Sequence, residues 1–282
     1  MATGDSGQFA GGLLEVIESE AIIKFSEANV TMPLVTVKGH PKADQVTFIA
    51  YNTGAATLTS ADVAATAENT VTPSTVLNTD KKTATLDMYS VMIPMYDEAR
   101  LSNADDIASN VGALVGNSMA QKADELLNLK FDDFSNAVGA NNAALTVDNL
   151  FDALSSLKQN AAIGQPQAVL DPRQIWGTFG VHNDLVTAAQ FAGSGVQDEG
   201  ARSGFVSQIA GINMHSSSAF TVTDNDGGSS GTASSVKGGV FVQGALGMGY
   251  AGEMIRTEVS GFWGVTEIVD GWGVEVLSQV IA

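Results

Sequence analysis

Apolar residues recur along the chain at two spacings, and the switch between them predicts its elements. Over residues 13–27, Leu13, Ile17, Ala21 and Phe25 stand four apart, with Leu14 and Ile22 beside them and Glu15, Glu18 and Glu20 between. Side chains four apart share one helix face, so this segment reads as an amphipathic helix. Residues 103–134 give the strongest helical signal. Ile107, Val111, Leu114, Val115, Met119, Ala123, Leu126 and Leu127 mark one face, Asn103 is a candidate N-cap, and Asp105 and Asp106 suit the positive end of the helix dipole. A helix of about 28 residues spans about 42 Å. Gly112 and Gly116 interrupt it, marking either a bend or a tight contact with a neighbouring backbone.

Two shorter helices come next. Thr146 caps one carrying Leu150, Phe151, Leu154 and Leu157. Asp171-Pro172 caps another through Ile175, Trp176 and Phe179, with proline at its first position, where no amide donor is missed. Strands are predicted over 30–38, 46–51, 83–93 and 168–170, and again over 239–246, 253–259, 262–269 and 273–281, with Gly261 and Asp270-Gly271 as turns. In 83–93, Ala84, Leu86, Met88 and Met92 alternate with Thr83, Thr85, Asp87 and Tyr89. Phe205 to Met214 reads as a short apolar turn entering a strand. Residues 1–12, 193–204 and 223–235 read as a flexible arm and loops. The mixture is an α+β chain.

Residues 52–82 fit neither pattern. They are mostly Thr, Ala, Ser, Asn and Val, too poor in bulky apolar side chains to make a core. With their flanks they form a two-armed excursion over 46–93, each arm of about 20 residues reaching up to about 65 Å if extended. A lone two-stranded ribbon is marginal in water. The excursion therefore either folds back on its own domain as a surface hairpin or takes support from another subunit.

Composition narrows the classes. Hydrophobic residues make up 44% of the 282 positions and charged residues 16%, enough for a core and too little charge for disorder. The formal net charge is −18, spread along the chain, so phosphate is repelled and sequence-reading of nucleic acid is disfavoured. Cysteine is absent, which removes disulfides, thiolate metal sites and a cysteine nucleophile. No signal peptide and no apolar run of about 20 residues is seen, so no membrane partner is expected.

Candidate chemistry is thin. Gly247-Met248-Gly249-Tyr250-Ala251-Gly252 fits a dinucleotide fingerprint, but that motif must lead into a helix, and the residues after Gly252 read as strand. Glycines at strand crossings are the better reading. Gly116-Asn117-Ser118-Met119-Ala120 faintly resembles a nucleophile elbow but lies inside a helix. Asp224-Asn225-Asp226-Gly227 begins like a calcium loop without its closing Glu, and reads as a solvated loop. His40, His182 and His215 are far apart in sequence, and Asp97 with Glu98 reads as the start of a polar face rather than as paired acids. No catalytic residue, cofactor or metal is expected. Lys81 and Lys82 come after Asn78-Thr79-Asp80 near the expected tip of the excursion. They read as lysines at a turn, with a salt bridge to an acidic neighbour or an isopeptide bond to Asn or Asp as functional alternatives.

The order of these parts resembles the major capsid proteins of tailed bacteriophages, with the Hong Kong 97-type shell fold. The resemblance runs over roughly 13–282. It rests on the arm and helix, on Gly39 followed by Gln45-Val46-Thr47-Phe48-Ile49-Ala50, and on the return through Ala84-Thr85-Leu86-Asp87-Met88-Tyr89 and Ile93. Asp97-Glu98-Ala99-Arg100, the long helix, the Leu-rich helix and Ala168-Val169-Leu170-Asp171-Pro172 complete it. It implies an N-terminal arm and helix (1–45), an E-loop and its base (46–96), a P-domain with a spine helix (97–145), an A-domain (146–245) and returning C-terminal strands (246–282). The implied function is a non-enzymatic shell subunit, self-assembling as pentamers and hexamers into an icosahedral head around double-stranded DNA. The implied partners are a separate scaffolding protein, a portal and a decoration protein, with the chain in the virion after assembly in the host bacterial cytoplasm. Some relatives carry a cleaved scaffolding segment; none is expected before residue 13, so the resemblance implies either a separate scaffold or the processed form of the chain. The cross-linking of one branch has no motif here. Inter-subunit contact is expected at Thr57, Leu58, Val71, Val76, Lys81 and Lys82. An encapsulin-like nanocompartment shell and a soluble β-rich hydrolase or binding domain are the alternatives.

Overall fold

The computed structural model describes residues 17, 19–25, 28–51, 79–91, 104–184, 208–209, 211–221, 223–224, 234–251 and 260–281. In chain order the strands are β1 (Thr36–His40), β2 (Gln45–Tyr51), β3 (Thr79–Thr85), β4 (Asp87–Ser90), β5 (Ala137–Gly139) and β6 (Gln167–Leu170). They continue as β7 (Gln208–Ile209), β8 (Ile212–Ser216), β9 (Thr223–Asp224), β10 (Ser234–Phe241), β11 (Leu246–Ala251), β12 (Ser260–Glu267) and β13 (Gly273–Ile281). Among the described residues they form three sheets. One has the order β1-β11-β12-β4, one runs β5-β13-β10-β6-β8-β7 with β9 beside β10, and β2 pairs with β3 as a two-stranded ribbon.

The helical segments keep the predicted faces, with instructive exceptions. In the N-terminal helix (residues 17 and 19–25), Ile17, Ala21 and Phe25 are buried and Ile22 and Ile23 exposed. The long helix runs Ala104–Asn128 and tightens into a 3₁₀ turn at Leu129–Asp133. Val115, Met119, Ala123 and Leu127 are buried, but Leu114, expected on the same face, is 63% exposed. Gly112 and Gly116 mark a contact rather than a bend. A Cβ on Gly112 would lie 2.6 Å from the Ile17 carbonyl oxygen, and one on Gly116 would lie 2.4 Å from that of Ala21. The two helices thus meet backbone to backbone.

A buried carboxylate fixes where the chain leaves the N-terminal helix. Asp124, on the long helix, accepts hydrogen bonds from the backbone N–H groups of Val30 (2.8 Å), Thr31 (3.0 Å) and Met32 (3.3 Å). The Thr31 hydroxyl donates to Asn128 Oδ1 at 2.9 Å, and the Asn128 amide donates to the Ala219 carbonyl at 2.8 Å. These bonds set the start of β1, which lies parallel to β11.

The larger sheet carries its own core. Thr146 caps the helix Val147–Gln159 in a reciprocal box with Asn149, and Leu150, Ala153 and Leu157 are buried beneath it. Asp171 caps the short helix Pro172–Trp176, which stops at Gly177, before the predicted Phe179. The fully buried Gln174 amide donates to the Val236 carbonyl at 3.1 Å and the Ser278 hydroxyl at 2.9 Å, tying that helix to β10 and β13. β10 starts at Ser234, inside the segment read as loop. β11 falls partly on glycines that propensity disfavours, because pairing on both edges overrides local preference. The strand expected over 253–259 lies outside the described residues. Around Gly211, at φ 82, β7 and β8 form the expected short turn.

Candidate functional site

The ribbon is the feature on which an assembly role turns. β2 and β3 pair antiparallel through seven rungs, from Gln45 opposite Thr85 to Tyr51 opposite Thr79. Alternation gives it two faces. Val46, Phe48, Ala50 and Ala84 are buried, and with Leu86, Ala251 and Ile268 they form a core of their own. Gln45, Ile49, Lys81, Thr83 and Thr85 are exposed.

The buried face rests on a seat from which side chains have been removed. An added Cβ on Gly247 would lie 2.8 Å from the Phe48 ring, and one on Gly249 would lie 2.7 Å from Val46 Cβ. One on Gly264 would lie 2.0 Å from the Thr85 carbonyl oxygen. The glycines that imitate a dinucleotide fingerprint therefore let a ribbon lie across a sheet. Of the two alternatives for the excursion, its base is thus carried by its own subunit. Residues 52–78 lie outside the described residues, and with them Thr57, Leu58, Val71 and Val76.

Lys81 and Lys82 are not at a tip. They stand mid-strand opposite Ile49 and Phe48, because β3 already begins at Thr79. Being adjacent, they face opposite ways. Lys81 is exposed on the outer face, while Lys82 is half-buried on the inner side, 3.8 Å from Asp80. Burial, then Asp270, pushes the Glu267 carboxyl above its ordinary value, and Lys82 pulls it back down. Lys82 is thus engaged with its own subunit.

The return strand also departs from expectation. The alternation read over 83–93 breaks at Leu86, whose N–H donates to the Asp44 carbonyl at 3.0 Å. Beyond it the chain leaves the ribbon and pairs with β12, so its faces shift by one residue. Met88 becomes 55% exposed, and Tyr89 turns inward to stack on buried Trp263 at 5.6 Å. Phe25 stacks on Trp263 at 5.5 Å, joining the N-terminal helix to the root of the ribbon.

The remaining candidates do not converge. Gly116 to Ala120 lies within the long helix. His40 is on β1 of one sheet and His215 on β8 of another, where its Nε2 lies 2.9 Å from Gln167 Oε1. Asp224 ends β9, while Asn225, Asp226, Gly227, Asp97 and Glu98 lie outside the described residues. Among the described residues no three acidic, histidine or cysteine groups are placed to hold a metal. No helix among them is long and apolar enough to cross a membrane.

Three carboxyls give a pH signature. Burial raises Asp124, Glu267 and Glu275 above their ordinary values; Lys237, paired with Asp132, lies 3.4 Å from Glu275 and opposes the rise there. A carboxyl raised by folding adds stability that is complete below the ordinary carboxyl range and is lost as pH rises through the raised value. Of two pH values that bracket the raised carboxyls, unassembled subunits should therefore melt at higher temperature at the more acidic one, against the opposing effect of His215, which burial lowers. A lower melting temperature on that acidification would contradict the assignment.

No protein-family profile and no curated protein matches the sequence. Solved structures do. The capsid of cyanophage P-SCSP1u matches with a TM-score of 0.58 at 15% identity, over 88% of each chain. The capsid of Ralstonia phage GP4 matches with a TM-score of 0.61 at 11% identity, over 88% of this chain and 87% of that one. A virus-like particle from Pyrococcus furiosus matches with a TM-score of 0.52 at 11% identity, over 93% of this chain and 98% of that one. The chain has the Hong Kong 97-type capsid fold.

Proposed function

We propose that this chain is the major capsid protein of a bacteriophage head, a structural subunit without enzymatic activity whose copies close into an icosahedral shell around double-stranded DNA. The observation that carries the reading is the two-stranded ribbon, which this reading takes as the E-loop base, rooted on a glycine seat in a fold shared over most of its length with phage capsids.

In this reading the E-loop (46–96) crosses onto the adjacent subunit, where Thr57, Leu58, Val71 and Val76 make contact, with Lys81 beside them. Lys82, engaged at home, contributes least. The N-terminal arm and helix (1–45), P-domain (97–145), A-domain (146–245) and C-terminal strands (246–282) make up the rest. Copies meet as pentamers and hexamers, and a closed shell sums many modest contacts. A separate scaffolding protein, a portal and a decoration protein are the partners, and the site is the virion, after assembly in the bacterial cytoplasm. The net charge of −18 suits a wall along which packaged DNA slides rather than sticks.

A second reading, an encapsulin-like compartment enclosing protein, is favoured by the likeness to the Pyrococcus particle. Electron microscopy of the purified chain tests the shell, and particle contents separate the two: nucleic acid for a phage head, an enzyme cargo for a compartment. Monodisperse monomers with turnover or ligand binding would contradict both.

A further inference from the structure

Several cations of the chain are matched by a carboxylate close at hand. Lys122 lies 3.1 Å from Glu125, Lys130 2.7 Å from Asp133 and Arg173 2.9 Å from Asp171, and Lys237 is paired with Asp132. Lys38 and Lys81 make no ion pair among the described residues, and the strands bring them to one surface. Lys81 stands across the ribbon from Ile49, which is 48% exposed. Lys38 Nζ reaches over from β1 to donate to the Thr47 carbonyl at 2.7 Å, two residues from Ile49. An exposed isoleucine thus lies beside two cations, and Gln45, Thr47, Thr83 and Thr85 continue that face without charge. Asp80 is opposite buried Ala50 and so on the other face, where it accepts the Lys81 N–H at 2.9 Å and lies 3.8 Å from Lys82. In the turn before β2, exposed Lys42 and Asp44 offset each other, and Asp87 lies past Leu86, where the chain has left the ribbon.

The opposite pattern occurs on the helix Val147–Gln159. Phe151 is 52% exposed, with exposed Asp148 three residues before it and exposed Asp152 next to it. Asp184 adds a carboxylate at the start of that helix, accepting the Val147 N–H at 3.2 Å. Asp148 and Asp152 make no ion pair among the described residues. Lys158, the cation of that helix, is two turns along, about 10 Å from Phe151.

We propose that these two faces are the halves of one contact between copies of this chain, Ile49 with Lys38 and Lys81 on one subunit meeting Phe151 with Asp148 and Asp152 on the next. Charge complementarity argues for this occupant. Copies at net −18 repel one another over most of their surface, and approach is favoured where an unmatched cationic face meets an unmatched acidic one. The apolar centre of each half suits a protein surface, whereas a nucleic-acid backbone would leave Ile49 without a partner. Because the two faces differ, the contact runs head to tail, which closes rings instead of stopping at a dimer. The inference rests on the shell reading and gives the ribbon a named surface to meet.

The test is a charge exchange in the full chain. Lys81→Glu, Asp152→Lys and the double variant are reassembled from dissociated subunits and followed by sedimentation, with melting curves of the unassembled forms. Each single variant should raise the critical concentration for particles on the order of tenfold, because like charges then face each other. The double variant keeps the net charge, restores the opposition and should return to within about threefold of the parent. All three should melt as the parent does, since both side chains are exposed. Single variants that assemble at the parent's concentration overturn the contact, and so does a double variant no better than the worse single one. A melting temperature lowered in either single variant overturns it by making the residue structural. Lys81→Glu shells of normal yield that have lost bound nucleic acid overturn the choice of occupant. A parent chain that makes no particles overturns the shell reading, and this proposal with it.

Discussion

Gly264→Ala should leave a folded subunit and, on the shell reading, cut particle yield by at least about tenfold, because one methyl group displaces the ribbon at its root. The new Cβ would lie 2.0 Å from the Thr85 carbonyl oxygen and 2.8 Å from its carbon. Neither atom belongs to a side chain that can swing aside, so the backbone where β3 hands over to β4 must move. Overpacking of this kind costs about 1–3 kcal/mol. A shell magnifies it, since every subunit carries the same misdirected arm. Gly271→Ala is the control, for its nearest neighbour is the Asn160 side chain at 3.2 Å. Sedimentation of the two variants beside the parent reads the difference. Equal yields would show that the glycine seat does not aim the loop.

Asp124→Ala should lower stability on the order of 3 kcal/mol or more, since it leaves three N–H groups without an acceptor and opens a cavity. For a chain of this size that is about 6–12 °C in melting temperature. Asp124→Asn should cost less. It retains one acceptor oxygen and no longer buries a charge, but it turns an amide donor toward a backbone donor. Hydrogen exchange adds a local reading: the amides of Val30, Thr31 and Met32 should exchange faster in both variants, and most in Asp124→Ala. An Asp124→Ala subunit as stable as the parent would remove the carboxylate from its anchoring role.

Legible in the sequence was whatever depends on near neighbours. The four-residue step of Ile17, Ala21 and Phe25, the Thr146 cap and Asp171-Pro172 each need only a few residues of context, and each stands where expected. The features that escaped depend on distant chain. Asp124 reads as one more charge on an amphipathic helix, because its partners lie more than ninety residues away. Nothing local to Gly247, Gly249 or Gly264 says that a ribbon lies across them. The exposed face of Met88 is hidden from the sequence because alternation over 83–93 conceals a change of sheet at Leu86. Lys81 and Lys82 look like a turn because Asn78-Thr79-Asp80 is turn-like, whereas pairing with β2 extends strand through Thr79 and Asp80. For the candidate site, the ribbon's existence was legible and its support was not.

Electron microscopy of the full chain beside one lacking residues 55–80 tests the central claim most directly. The parent is expected to close into uniform shells, and the shortened chain to remain a folded, soluble subunit, its ribbon base still seated by Val46, Phe48 and Ala84. Shells of normal number and form from the shortened chain would contradict the account.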